Sequence, residues 1–265
     1  MSKLELTING KPIKLETGDQ ISILNLARAN GISIPTLCHH PSLEPFGSCR
    51  LCTVEIVQKG RVKLDTACTH PAEDGLVVDT NSLRVKRVRK MVLSFFLARC
   101  PEVQLLKDLA NNLEISPLTL PYQRSSNEKC ILCGRCVRVC REVIGKRAIS
   151  FAFRGEARRP SSPYGSQAED CIGCTACEFV CPTGAVLVQK NKDSISIDPW
   201  NTEVPLLTCS GCGNSLTTQK AADHLLKNNK LKLPETSSLL CEKCRRKETI
   251  RLVEKLPKPK VRGIR

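Results

Sequence analysis

The sequence predicts an α+β chain built from several small domains, and three observations carry that prediction. Two alternating apolar–polar hairpins bracket a short helix within the first 80 residues. Apolar residues at helical spacing, with basic residues between them, follow over 82–98. From there cysteine sets the rhythm, in two closely spaced runs and then two Cys-x-x-Cys pairs. The 265 residues suffice for two or three compact domains.

KLELTINGKPIKLE (3–16) alternates on both sides of Asn9-Gly10, a dipeptide suited to the positive φ angles of a type I′ hairpin. ISILNLARANG (21–31) reads as a helix stopped by Gly31. TVEIVQKGRVKLDTAC (53–68) reads as a second hairpin turning at Lys59-Gly60, and GLVVDT (75–80) as a closing strand. That order of elements predicts a β-grasp domain over 1–80. Residues 81–124 form a helical linker with Leu83, Val85, Val88, Val92, Phe95 and Phe96 on its apolar face. Pro101 is placed at the first position of a second helix, with Cys100 at the N-cap and Leu105, Leu106 and Leu109 on the buried side. Residues 125–195 hold the two cysteine runs, separated by RGEARRPSSPYGSQ. Residues 200–250 hold the two pairs, in a small four-cysteine module of zinc-ribbon type. An Arg/Lys-rich helical stretch is expected after Cys244, and the basic tail of residues 251–265 ends in LPKPKVRGIR, which is rich in Pro and Lys and without an apolar period, so an extended or disordered segment is expected there.

Hydrophobic residues make up 41% of the chain and aromatics only 3%, so the cores are aliphatic. The 17 cysteines call for either disulfides or metals. The start, MSKLELTINGKPIKLETGD, has no apolar leader region, and no stretch approaches the roughly 20 apolar residues of a membrane span. A soluble, cytoplasmic protein with reduced thiols is expected, which favours metals. The formal charge of +15 would ordinarily suggest nucleic acid or an acidic membrane surface. Four four-thiolate metal sites, each near −2, would bring it to roughly +7. Much of the basic excess then serves as compensation for the sites.

Cys38, Cys49, Cys52 and Cys68 form the first set, C-x10-C-x2-C-x15-C. Four thiolates suit a [2Fe–2S] cluster with two ligands per iron, and Gly47 in FGSCRLC lets backbone N–H groups approach the sulfurs. A structural zinc is the alternative, although zinc sites usually pair their Cys-x-x-Cys units. His39 and His40 are loop residues beside a set that is already complete.

CHHPSLEPFGSCRLCTVEI…ACTHPAEDGLVV closely resembles the N-terminal [2Fe–2S] domain shared by three kinds of protein. These are the large iron–sulfur subunit of respiratory complex I, the small diaphorase subunit of bidirectional NAD-linked hydrogenases, and the N-terminus of [FeFe] hydrogenases. The resemblance continues through KRVRKMVLSFFLAR (86–99) and covers most of residues 1–190. In that family the helix over about 90–98 leads into a motif of one histidine and three cysteines for a further [4Fe–4S] cluster. Here SFFLARCPEVQLLKDLANN has no histidine and one cysteine, Cys100, so that cluster is expected to be absent and Cys100 to be a buried or capping thiol.

Cys130, Cys133, Cys136 and Cys140, then Cys171, Cys174, Cys177 and Cys181 followed by Pro182, each read C-x2-C-x2-C-x3-C. This is the run of bacterial two-cluster ferredoxins, in which the fourth cysteine of each run ligates the other cluster. One [4Fe–4S] cluster then takes Cys130, Cys133, Cys136 and Cys181, and the other takes Cys140, Cys171, Cys174 and Cys177. Two zinc knuckles are the weaker reading, and a three-iron cluster would require a broken run.

Cys209, Cys212, Cys241 and Cys244 form two pairs 28 residues apart, with Gly213 as a knuckle turn. Structural Zn²⁺ is expected, with a further iron–sulfur cluster or a single iron as alternatives. His224 is a surface helix residue, not needed by a complete set of four cysteines.

No G-x-G-x-x-G and no P-loop occurs, and no flavin- or nicotinamide-binding fingerprint. The chain is thus expected to carry electrons without catalysing substrate chemistry itself. The resemblance implies an electron-transfer subunit of a multi-subunit NAD(P)-linked oxidoreductase, of electron-bifurcating transhydrogenase or hydrogenase type. Its expected partners are a flavoprotein NAD(P)-binding subunit, a second catalytic subunit and a soluble ferredoxin. A subunit of an NAD-dependent formate dehydrogenase or a non-bifurcating diaphorase is the alternative. Nucleic-acid binding through a zinc module and KCRRKETIRLVEKLPKPK is remote, because stacking aromatics are absent.

Overall fold

The computed structural model describes residues 2–17, 20–120, 127–228 and 239–255. The chain forms two compact units: residues 1–161 with 176–187, and residues 162–175 with 188–265.

Unit one opens with β1 (Ser2–Ile8) and β2 (Lys11–Thr17), paired antiparallel with Leu6 opposite Ile13. Asn9 and Gly10 take φ of 52° and 76°, the conformation a type I′ turn requires. Helix α1 (Ile23–Ala29) is capped by Ser22, whose hydroxyl accepts the Asn25 N–H at 3.2 Å, and Gly31 follows at φ 71°. Strands β3 (Thr53–Gln58) and β4 (Arg61–Thr66) form the second hairpin. Strand β5 (Val77–Asp79) runs parallel to β1 and antiparallel to β3, giving the order β2-β1-β5-β3-β4. Alternate strand residues Leu6, Ile8, Val54, Ile56 and Val78 meet Ile23, Leu24 and Leu26 of α1 in one core. Each fully buried Leu or Ile there stabilises the unit by about 1.5–3 kcal/mol.

Helix α2 (Leu83–Arg99) starts at Ser82, whose hydroxyl accepts the Val85 N–H at 3.3 Å. Its buried face is the expected one only in part, Val85 being buried and Val92 and Phe96 packing against a core cluster. Leu83 and Phe95 are exposed, while Val85, Arg89, Leu93 and Ser94 are buried. The polar members have partners: Ser94 Oγ donates to the Lys90 carbonyl at 2.7 Å and accepts the Leu118 N–H at 2.8 Å. Helix α3 (Gln104–Asn112) begins later than expected. Cys100 is the C-cap of α2, not the N-cap of α3, because its N–H still bonds the Phe96 carbonyl at 2.8 Å. Pro101 falls in the turn and Val103 caps α3. Leu106 and Ala110 are buried on α3, whereas Leu105 is exposed.

The first cysteine run continues into α4 (Arg135–Arg138) and one π turn, Val139–Val143. A two-stranded ribbon, β6 (Ser150–Ala152) with β7 (Arg159–Ser161), and a short α5 (Ala176–Phe179) complete unit one.

Unit two is built on a sheet of order β11-β10-β9-β8: β8 (Leu187–Lys190), β9 (Ser194–Asp198), β10 (Thr202–Thr208) and β11 (Ser215–Thr218). Trp200, Ile195, Ile197 and Val204 are its buried apolar residues. Helices α6 (Gln219–Asn228) and α7 (Glu242–Glu254) follow. Helix α7 is the expected Arg/Lys-rich helical stretch, and LPKPKVRGIR (256–265) lies outside the described residues. No helix among the described residues is long and apolar enough to cross a membrane.

Candidate iron–sulfur and metal centres

Cys38, Cys49, Cys52 and Cys68 are all buried, on the loops around β3 and β4. They meet as two hydrogen-bonded pairs, Cys38 with Cys49 and Cys52 with Cys68. In each pair one thiol is pulled down and its partner pushed up. The Cys49 thiol lowers Cys38 to about 5, and Cys52 lowers Cys68. Hydrogen bonding to the acidified partner, reinforced by burial, raises Cys49 and Cys52. Backbone N–H groups converge on the sulfurs: Leu37 donates to Cys49 Sγ and Cys49 to Cys38 Sγ, each at 3.5 Å. The paired buried thiols and these donors fit a [2Fe–2S] group. Gly47 is needed in this loop, since a Cβ on its φ 66° backbone would lie 3.3 Å from Thr69 Cγ2. His39 is buried, and its imidazole is pushed down by burial and by Arg28.

Cys130, Cys133 and Cys136 lie within electrostatic reach of Cys181 in the same unit. Burial pushes all three up, Cys133 to about 11 and Cys136 well above the ordinary thiol value, and neighbouring acidic groups, Cys181 among them, add to it. Thiolates so disfavoured without metal are suited to a group that supplies positive charge. Leu132 and Gly134 take φ of 56° and 75°, turning the backbone between successive cysteines. Cys140 and Cys177 also belong to unit one, and Cys171 and Cys174 to unit two. Within unit two, Gly173 (φ 67°) packs so closely that a Cβ would sit 2.8 Å from Thr218 Cγ2. Thr218 Oγ1 donates to the Ile172 carbonyl and accepts the Ala221 N–H at 3.0 Å.

The [2Fe–2S] loop and the Cys130–Cys140 run share a wall. Leu37, Cys38, Cys49 and Leu51 pack in one cluster with Leu93, Cys100, Leu106 and Ile131, and Cys133 lies against it. Ser48 Oγ donates to the Cys133 carbonyl at 3.3 Å. Cys100 is fully buried in this same cluster.

Sequence reasoning missed the arginines of this wall. Arg89, 5% exposed, donates from Nε and Nη2 to the carbonyls of Leu51 and Thr53, both at 3.1 Å. Burial pushes its guanidinium down to about 10, and Cys52 opposes that. Arg99 Nε holds the Cys130 carbonyl at 2.7 Å. Arg138 Nη1 holds the Cys38 carbonyl at 3.2 Å, and Arg135 Nη2 holds that of His39. A charged residue inside an apolar helical stripe, and two arginines inside GRCVRVC, were the available signals.

Cys209, Cys212, Cys241 and Cys244 form a cluster with all four sulfurs within 4.8 Å of one another. One tetrahedral ion with bonds of about 2.3 Å needs sulfurs about 3.8 Å apart. Cys212 and Cys241 Sγ are 3.6 Å apart. The fold is local: Cys241 caps α7, its sulfur accepting the Cys244 N–H at 3.4 Å, and the Cys241 N–H reaches Cys209 Sγ at 3.2 Å. That N–H bond pulls Cys209 to about 6, and hydrogen bonds from Cys212 and Cys241 push Cys244 to about 12. Gly213 (φ 72°) turns the first knuckle, its N–H bonding the Cys209 carbonyl at 2.8 Å. His224 Nε2 pairs with Asn228 on α6 at 3.1 Å and is not part of the cluster.

Residues 1–82 match the family described as "2Fe-2S iron-sulfur cluster binding domain", and residues 129–185 match "4Fe-4S dicluster domain". The chain is 30% identical over 231 residues to the NADPH-Fe(3+) oxidoreductase subunit alpha of Geobacter sulfurreducens, covering 79% of this chain and 26% of that one. It is 32% identical over 217 residues to the NADP-reducing hydrogenase subunit HndD of Solidesulfovibrio fructosivorans, covering 71% and 36%. It thus spans a quarter to about a third of these relatives. Among solved structures, a chain of the NAD+-reducing [NiFe]-hydrogenase in the H2-reduced state is 30% identical with a TM-score of 0.50, covering 60% of this chain and 74% of that one.

Proposed function

Given that the chain belongs to the iron–sulfur electron-transfer subunits of NAD(P)-linked oxidoreductase complexes, we propose that it relays electrons between a flavoprotein NAD(P)-binding partner and a ferredoxin or second catalytic subunit. The wall shared by the [2Fe–2S] loop and the Cys130 run carries this reading, because electron hopping needs neighbouring centres. The proposed ligands are Cys38, Cys49, Cys52 and Cys68 for [2Fe–2S]. Cys130, Cys133, Cys136 and Cys181 take one [4Fe–4S], and Cys140, Cys171, Cys174 and Cys177 the other, the latter set following from its run alone. When bound, these groups supply one-electron redox steps, and the chain's own residues hold them in place and shield them. At the position where the resemblance calls for one histidine and three cysteines, Cys100 packs in an apolar cluster, which favours a shorter relay such as a branched, electron-bifurcating one.

The four close sulfurs of Cys209, Cys212, Cys241 and Cys244 favour a single ion, structural zinc, since an iron–sulfur core would hold its ligands further apart. Metal analysis should then give about ten irons and one zinc per chain. The functional test uses the co-purified complex. Cys49→Ser and Cys133→Ser should each cut NAD(P)H-dependent acceptor reduction by more than about 100-fold. Unchanged turnover after loss of either cluster would end the relay reading.

A further inference from the structure

Two of the arginines in the shared wall, Arg135 and Arg138, project from α4 inside the Cys130–Cys140 run. The charge of Arg138 is met by a carboxylate. Its Nε lies 3.7 Å from Glu142 Oε1, and its guanidinium stands 5.1 Å from the Phe46 ring centroid. Arg135 differs. Its Nη2 donates to the His39 carbonyl and its Nη1 reaches that of Val180 at 3.5 Å, but its Nε is buried and makes no hydrogen bond. Among the described residues no carboxylate pairs with it. Its position links two cysteine sets: it stands between Cys133 and Cys136 in the run, and the carbonyl its Nη2 holds belongs to the residue after Cys38.

A guanidinium keeps its charge, and one that is half-buried with a buried, unbonded Nε and no carboxylate is favoured by negative charge nearby. Both cysteine sets would supply that charge once loaded, at about −2 each. We infer that Arg135 is a counter-charge shared by the [2Fe–2S] site and the first [4Fe–4S] site, a positioning residue that raises the potentials of both together. This rests on the ligand sets proposed above. Each one-electron reduction adds a negative charge, which a fixed neighbouring cation favours. Because one cation faces both sets, its removal lowers both potentials and leaves their difference nearly unchanged. The driving force between the two sites is then insulated from it, while exchange with outside partners is not.

The test is an EPR-monitored redox titration of the full cluster-loaded chain as wild type, Arg135→Gln, Arg135→Lys and Arg138→Gln. In Arg135→Gln the reduced-to-oxidised ratio of both centres at fixed ambient potential should fall about tenfold, a drop of ~59 mV for one-electron couples. The second [4Fe–4S] signal should not move. Arg135→Lys keeps the charge and should stay within about threefold of wild type. Arg138→Gln, whose cation faces the Glu142 carboxylate it shares with Arg141, should shift less than Arg135→Gln. Intact spectra with unmoved potentials in Arg135→Gln overturn the inference, as does a shift confined to one centre or shared equally by all three. If the Gln variant does not hold its clusters, Arg135→Lys decides: unmoved potentials support a charge role, and potentials that fall despite the retained charge overturn it. A wild-type chain without [2Fe–2S] and [4Fe–4S] signals would instead overturn the ligand assignment, so the two failures read differently.

Discussion

The sites of unit one and the four-cysteine cluster of unit two gather their ligands by opposite means. In unit one the ligands arrive from distant parts of the chain, Cys38 with Cys68 and Cys130 with Cys181, and arginines from α2 and α4 hold their loops by the backbone carbonyls. In unit two, two four-residue knuckles suffice, and the N–H groups that face the sulfurs come from those knuckles. In the first region Cys38, Cys49, Cys52 and Cys68 are buried and Cys130, Cys133 and Cys181 are half-buried, with arginines close by. The second is shallow, with Cys212 exposed and no buried residue on α7. Burial and a fixed cation matter to a centre that changes charge during turnover. A centre that never changes charge needs only its ligands. The difference accords with the proposed redox role of unit one and the proposed staple role of the C-terminal cluster.

The largest expected effect separates the two regions directly. Removing the metal from the C-terminal cluster with a zinc chelator should strip hydrogen-exchange protection from residues 239–255, since structural zinc contributes on the order of 10 kcal/mol or more to such modules. The EPR signals of unit one should persist, and their loss would refute the staple reading. Next, Arg89→Met should lower the stability of unit one by about 2–4 kcal/mol in urea titration, because two buried carbonyls lose their donors. An unchanged midpoint would show that the arginine clasps are incidental. Gly173→Ala should cost about 2–3 kcal/mol in unit two, since a methyl would stand 2.8 Å from Thr218 on a φ 67° backbone. The smallest effect belongs to Cys100→Ala, about 1 kcal/mol, with iron content unchanged. Lost iron in that variant would make Cys100 a ligand.

Much of the fold is legible because its signals are local. Asn9-Gly10 and Lys59-Gly60 announce their turns through φ, and Ser22 and Gly31 bracket α1. Cysteine spacing nominates four thiols for the C-terminal cluster because two knuckles fold on themselves. The start of α3 is ambiguous in the sequence because Pro101 suits either a helix start or the turn just after one, and the N–H of Cys100 chooses the latter. Part of the buried face of α2 escapes hydrophobic periodicity, which has no place for a buried Arg89 whose partners lie 36 and 38 residues away. Exposed Leu83 and Phe95 follow from the same rotation. Only tertiary contact reveals that a cation belongs inside.

Arg89 also decides what could be transplanted. A graft ending at residue 80 would carry all four cysteines of the [2Fe–2S] set but leave the Leu51 and Thr53 carbonyls without donors. It would also bare Leu37 and Leu51, which Leu93 and Leu106 cover. The smallest portable cassette therefore runs through α3, to about Leu113, and a designer who cut at the sequence boundary would inherit the ligands without the brace that keeps them in register.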